Sequence, residues 1–125
     1  MQTVSTDKAP PPAGHYSQAV VHGGVVYVAG QLPKDPADPS RPPGDAAAQT
    51  RRVFANIAAI LEAAGSGLGR ILQVTIYVTD IALWPQVNEA YAATMGDHRP
   101  ARAVVPVGAL HGGYLLEVIV VAAAG

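Results

Sequence analysis

Hydrophobic positions along the chain recur with two periods, and the period switches several times. From Ile71 to Thr79 it is two: Leu72, Val74, Ile76 and Val78 fall on one side, with Gln73, Thr75, Tyr77 and Thr79 on the other, the pattern of a half-buried strand. Val53, Ile57, Ile60, Leu61 and Ala64 instead draw one apolar stripe at helical spacing. Asp45 offers that helix an N-cap oxygen and Gly65 ends it. Upstream, the β-prone segments Ser17–His22 and Val25–Gln31 flank Gly23-Gly24, a pair suited to the positive φ of a two-residue hairpin turn. A second helix is expected after the cap Asp80, with Pro85 in its first turn, Trp84, Val87, Asn88 and Tyr91 along one side, and Gly96 closing it. Arg102–Leu110 and Tyr114–Ala122 read as two further strands, predicted to form a second hairpin around His111-Gly112-Gly113.

The predicted order is β-β-α-β-α-β-β: an α+β fold of two layers, with both helices on one face of a mixed sheet. Residues 1–125 make a single domain, with a Pro-rich N-terminal arm at 1–13 and a Pro-rich surface loop at 32–44. In the last strand Leu116, Val118 and Val120 are apolar on one side, and Leu115, Ile119 and Val121 on the other. One layer of helices covers only one side of a sheet. The second apolar side is therefore expected to meet another subunit, in a homo-oligomer.

Composition narrows the function classes. Half of the 125 residues are hydrophobic and 14% are charged, a balance that folds rather than staying disordered. Eight Lys and Arg against nine Asp and Glu give a net charge of −1, so no general attraction to nucleic acid or a membrane surface is built in. Without cysteine the chain can hold no disulfide, thiolate nucleophile or Cys-ligated metal, which suits a reducing compartment. Met1–Lys8 has no apolar segment of a secretory signal, and Leu115–Gly125 is far short of the ~20 residues of a membrane helix. The expectation is a cytoplasmic protein. His15, His22, His98 and His111 lack ligand spacing, and the glycine pairs do not lead a strand into a helix, so neither a metal nor a nucleotide is expected.

Two charges interrupt otherwise apolar strands: Arg102 in Pro100–Val105 and Glu117 in Leu115–Ile119. Burying either unpaired costs several kcal/mol, so each needs a partner or a task. A two-residue turn at Gly112-Gly113 would pair Gly108 with Glu117 and Ala123 with Arg102. The two charges would then share a sheet face about 20 Å apart, beyond contact within one chain. Between subunits they would meet, either as an interface salt bridge or as a cleft holding one cation and one carboxylate. Arginine grips a carboxylate ligand in two-pronged fashion, and a half-buried glutamate is suited to proton transfer.

At these residues the chain resembles the RidA/YjgF family of small imine-deaminating proteins. Gly14-His15-Tyr16-Ser17-Gln18-Ala19, Val28-Ala29-Gly30-Gln31, Gln49-Thr50, Asn56, Leu61–Gly65 and the pair Asn88 and Tyr91 are similar to its motifs in order. The most specific are Pro100-Ala101-Arg102 and Leu116-Glu117-Val118. The resemblance implies a chorismate-mutase-like fold, a homotrimer with three inter-subunit clefts, and a cofactor-free reaction: hydrolysis of 2-imino or enamine acids to 2-oxo acids and ammonia, as in metabolite damage control. By position Arg102, with the Gly30 backbone N–H, would bind the carboxylate. Glu117 would orient water and pass a proton to the departing nitrogen, and Tyr16 and Asn88 would shape the cleft.

The sequence departs from the family pattern at Ala29, where serine is common, and at Val104, where cysteine is common. His15 and Pro106 also differ. An apolar wall beside Arg102 should favour a different or larger side chain. The competing reading is a non-catalytic trimer that senses a small carboxylate such as a 2-oxo acid. A ribonuclease, translation-inhibitor or chaperone role ranks below both, because near-neutral charge leaves RNA little to hold.

Overall fold

The computed structural model describes residues 1–125 as a six-stranded sheet with two α-helices. Its strands are β1 (Gln2–Val4), β2 (Ala19–His22), β3 (Val25–Gln31), β4 (Ile71–Val78), β5 (Ala101–Pro106) and β6 (Leu116–Ala123). The helices are α1 (Ala46–Ala63), between β3 and β4, and α2 (Trp84–Met95), between β4 and β5. Across the sheet the order is β1-β2-β3-β6-β4-β5. Only β4 and β5 run parallel as neighbours; every other adjacent pair is antiparallel.

Local chemistry accounts for most boundaries. Gly23 and Gly24 both have positive φ, 59° and 78°, so the β2–β3 connection is the primed turn that a twisted hairpin favours. Asp45 caps α1 by accepting from the Ala48 N–H at 2.9 Å. At its other end Gly65 takes φ 76°, the Ser66 N–H reaches Leu61 O and the Gly65 N–H reaches Glu62 O, the paired bonds of a Schellman ending. Of the predicted stripe, Val53, Ile57, Ile60 and Leu61 are fully buried and pack with Val74, Ile76, Val78, Leu116, Val118 and Val120, while Ala64 at the helix end is partly buried against the same core.

Five expectations need correction. The arm contains strand β1, paired to β2, so the order gains a strand at its start. Asp80 caps a 3-10 turn at Ile81–Leu83 by accepting from Ala82 N–H; α2 follows with Pro85 in its first turn and no side-chain cap. Leu72 is 51% exposed while Ile71 is buried, because the β4–β6 register slips between Ile71 and Gln73 and turns Leu72 outward. Leu115 precedes β6 and packs against the core instead of facing out. Most consequentially, β5 and β6 form no hairpin, for β4 lies between them. The chain leaves β5 at Pro106 and crosses the end of β4 through residues 107–115. Gly112 and Gly113 still take positive φ there, in a short turn that does not connect paired strands.

Each helix joins two parallel strands: α2 joins the neighbours β4 and β5, and α1 joins β3 and β4, with antiparallel β6 inserted between them. Crossovers of one hand place both helices on one side. The other side carries Tyr27, Thr75, Tyr77, Val105, Glu117, Ile119 and Val121 without a covering layer, and Tyr27, Val105 and Ile119 are exposed. The expected second apolar side is thus present, built by more strands than the last. No helix is long and apolar enough to cross a membrane.

Candidate functional site

Arg102 sits on edge strand β5, in register with core-facing Val74, so its side chain rises on the helix side. There α2 receives it. The guanidinium Nη1 donates to Asn88 Oδ1 at 3.0 Å, and its carbon lies 4.6 Å from the Trp84 ring centre and 5.0 Å from that of Tyr91. Trp84, Asn88 and Tyr91 follow one another at four and three residues, the spacing of a single helix face. Tyr91 is itself anchored by an edge-to-face contact with Phe54, centroids 5.5 Å apart. A cation held over two aromatic faces gains about 0.5–1 kcal/mol per exposed contact, and the planar guanidinium keeps one orientation.

Around this cation opens a cleft of about 450 Å³ that also takes in His98, Arg99 and Pro100. His98 Nε2 donates to Ile71 O at 2.7 Å, which fastens the turn after α2 to β4. The Tyr91 hydroxyl is buried without a partner. Burial raises its pKa above the ordinary phenol value, and the charge of Arg102 offsets part of that rise. Arg102 makes no ion pair: the one salt bridge in the chain joins Arg41 to Asp35. No three His, Asp or Glu side chains gather in metal-binding proximity.

Glu117 lies on the uncovered side, in register with Tyr77. Its carboxylate sits against the backbone of Gly30, where an added Cβ would come within 2.7 Å of Oε2 and 3.2 Å of Cδ. A side chain at 30 would therefore displace the Glu117 carboxylate from this position. A bulge in β3 between Val28 and Gln31 brings Ala29 and Gly30 into this position. Ala29 N–H donates to Gln18 O, while the Gln18 side chain pins the arm through Thr6 and Pro10. Tyr16, two residues before Gln18, is 51% exposed, and its hydroxyl accepts from Ala13 N–H at 3.2 Å. The Glu117 carboxylate has no hydrogen bond or ion pair within the chain and is only partly buried.

The candidate residues thus form two groups. Arg102, Asn88 and Val104 stand together, since Val104 shares the helix side with Arg102 and packs against the core. Glu117, Gly30 and Ala29 form the second group, with Tyr16 on the segment leading into it. The expectation that Arg102 and Glu117 share a sheet face is corrected: they project from opposite faces. Their registers with Val74 and Tyr77 set them two strand spacings apart and three residues along, about 10 Å in each direction. That they form no pair within one chain holds, for this different reason. The expectation assumed a β5–β6 hairpin, and inserting β4 reverses the facing of one partner relative to the other. Trp84, Arg99 and His98 were not foreseen at the site. Only the stripe of Trp84, Asn88 and Tyr91 pointed that way, and whether a stripe of this kind faces a cation or a core depends on which strand lies beneath it.

One helical layer over a mixed sheet, with an unpaired arginine in a cleft at the sheet edge and a free carboxylate against a glycine, defines a small α+β protein. The family model described as Endoribonuclease L-PSP matches residues 6–124. A RutC family protein of Pyrococcus abyssi is 41% identical over 121 residues, 97% of this chain and 95% of that protein. The 2-iminobutanoate/2-iminopropanoate deaminase of Rattus norvegicus is 36% identical over 124 residues, 99% of this chain and 90% of that one. The crystal structure of E. coli TdcF with bound serine superposes with a TM-score of 0.94 at 31% identity, covering 100% of both chains. The chain belongs to the RidA/YjgF family.

Proposed function

We propose that this protein hydrolyses 2-imino acids or their enamine tautomers to 2-oxo acids and ammonia, in clefts formed between the subunits of a homotrimer with the chorismate-mutase-like arrangement. The observation that carries the reading is the split of the two charged groups. A fixed cation and a free carboxylate stand on opposite faces of one sheet, and a second copy is what can set the Glu117 of one chain opposite the Arg102 of its neighbour. The uncovered side with Tyr27, Val105 and Ile119 supplies an apolar surface for that contact. The named activity of the rat relative and the serine bound to TdcF agree with a small amino-acid-like substrate.

In this mechanism Arg102 takes the substrate carboxylate through two parallel N–H donors, held in plane by Trp84, Tyr91 and Asn88. The Gly30 N–H of the facing chain assists. Glu117 accepts a proton from water as the oxygen adds to the C=N carbon, giving a carbinolamine. It then returns that proton to the nitrogen. Glu117 then carries the carbinolamine hydroxyl proton to the same nitrogen as the C–N bond breaks, so that the 2-oxo acid and ammonia form and the carboxylate is regenerated. Tyr16 has its hydroxyl hydrogen free to donate to the substrate, because the oxygen accepts from Ala13. Ala29 and Val104 leave the walls apolar and select a larger or more apolar side chain. No cofactor takes part, and neither nucleic acid nor membrane is a partner.

The test generates 2-imino acids with an amino-acid oxidase in the presence of semicarbazide. The protein should lower semicarbazone formation, and Arg102→Ala should abolish the effect. No effect on any imine would sink the deaminase reading. The alternative, a carboxylate-sensing trimer, is favoured by one feature: the Arg102 cleft is complete in a single chain without Glu117. Undiminished imine hydrolysis by Glu117→Gln would remove Glu117 from the chemistry. Analytical ultracentrifugation checks the assembly, where a stable monomer would exclude a shared cleft.

A further inference from the structure

On the far side of α1 from the sheet, the Pro-rich loop closes over the helix and leaves a second cleft of about 350 Å³. The loop is fastened. Asn56 Nδ2 donates to Leu32 O and Lys34 O, Gln49 Nε2 donates to Gly44 O, and Pro33 is buried. Three arginines converge on the cleft, Arg41 from the loop with Arg51 and Arg52 from α1, against a single carboxylate, Asp35.

That carboxylate is already engaged. Asp35 Oδ1 accepts from the N–H groups of Ala37 and Asp38, and Oδ2 meets Arg41 at 3.5 Å. Its pKa is held below the usual value, first by the Ala37 N–H and further by the charges of Arg52 and Arg41, so it stays ionised. Arg51 and Arg52 have no ion-pair partner, and Arg52 Nε is buried with no acceptor at all. A buried donor of a charged group left without an acceptor is unfavourable, so the Arg52 guanidinium is under-satisfied by its own chain. Three guanidiniums less one carboxylate leave a charge of +2, while proline rings and alanine methyls wall the remainder.

We propose that this cleft binds a small phosphomonoester. A phosphomonoester dianion matches the residual charge, and its oxygens suit several guanidinium forks at once. The volume admits a short organic portion against Pro33, Pro42 and Pro43. The site is separate from the Arg102 cleft, with which it shares no residue.

Isothermal titration calorimetry of the intact protein with ribose 5-phosphate at low ionic strength tests the site. The wild type should bind one molecule per chain. Affinity should fall about tenfold or more for Arg51→Gln, and further for the Arg51→Gln/Arg52→Gln pair. Arg51 is exposed, so the single variant keeps the test valid if the pair fails to fold. Arg102→Ala should bind as the wild type does. Absence of binding at millimolar ligand, or retention of full affinity without Arg51, would overturn the proposal. So would loss of binding in Arg102→Ala, which would assign the phosphate to the other cleft. The methyl phosphodiester should bind more weakly than the monoester, and equal affinity would overturn the dianion requirement.

Discussion

The two halves of the candidate site are built in opposite ways. Arg102 is restrained from three sides, by Asn88, Trp84 and Tyr91, and Tyr91 is tied through Phe54 to the core. Glu117 is restrained by none: it lies over Gly30, with no donor or cation from its own chain. The contrast fits two tasks. A group that recognises a ligand carboxylate gains by being held in one orientation, because less freedom is lost on binding. A group that takes and gives a proton needs a free lone pair and room to turn between water and the departing nitrogen.

The sharpest way to break the comparison is to neutralise each half. Glu117→Gln keeps the shape and should lower kcat by about 10²–10⁴-fold with little change in KM. Arg102→Ala should instead raise KM and lower kcat/KM together, since it removes the grip common to ground and transition states. Steady-state kinetics on one imine separates the two, and equal effects on KM would erase the division of labour.

A smaller effect is expected from Gly30→Ala. The new methyl would stand 2.7 Å from Glu117 Oε2, so the carboxylate must move. Activity should fall about 10–100-fold while thermal unfolding changes little, because the carboxylate end of Glu117 is free to swing aside. A normal rate in this variant would show that the observed position of Glu117 is not the working one.

Trp84→Leu removes one of the two stacked rings beneath the guanidinium. KM should rise about two- to fivefold with kcat nearly constant, as expected for ~0.5–1 kcal/mol of cation–π contact. A change confined to kcat would argue that Trp84 does not position Arg102.

The smallest expected signal is electrostatic. Burial raises the Tyr91 pKa and Arg102 lowers it in part. A group with a raised folded pKa contributes stability that is complete below its unfolded pKa, near 10, and is lost as pH rises through the folded value. Removing the cation in Arg102→Ala should push the Tyr91 transition to still higher pH. Ultraviolet difference titration with Tyr91→Phe as reference reads it directly. A shift to lower pH would contradict the placement of Arg102 over the ring.

The features legible in the sequence were those decided within a few residues. The Gly23-Gly24 turn, the Asp45 cap, the Gly65 ending and the buried stripe of α1 each depend on local dihedrals or one helical face. Arg102 and Glu117 were legible as charges in apolar strands, and Gly30 only through the family resemblance. The β5–β6 hairpin failed because the same glycine pair serves a tight hairpin or a longer crossing, and nothing local tells which strand will occupy the space between. Leu72 failed because one bulge reverses the parity that an unbroken alternation implies.

What the sequence determined alone, then, was five of the six strands and both helices, the Gly23-Gly24 turn, the Asp45 cap and Gly65 ending of α1, and the identity of the two charged residues, since propensity, capping and hydrophobic period act over distances of a turn or a strand. What the tertiary structure decided was strand order, the faces from which Arg102 and Glu117 project, the aromatic cradle under Arg102 and the arginine cleft over α1. Each of these depends on contacts between residues remote in the chain, where packing and pairing of the whole sheet choose among arrangements that are locally equivalent.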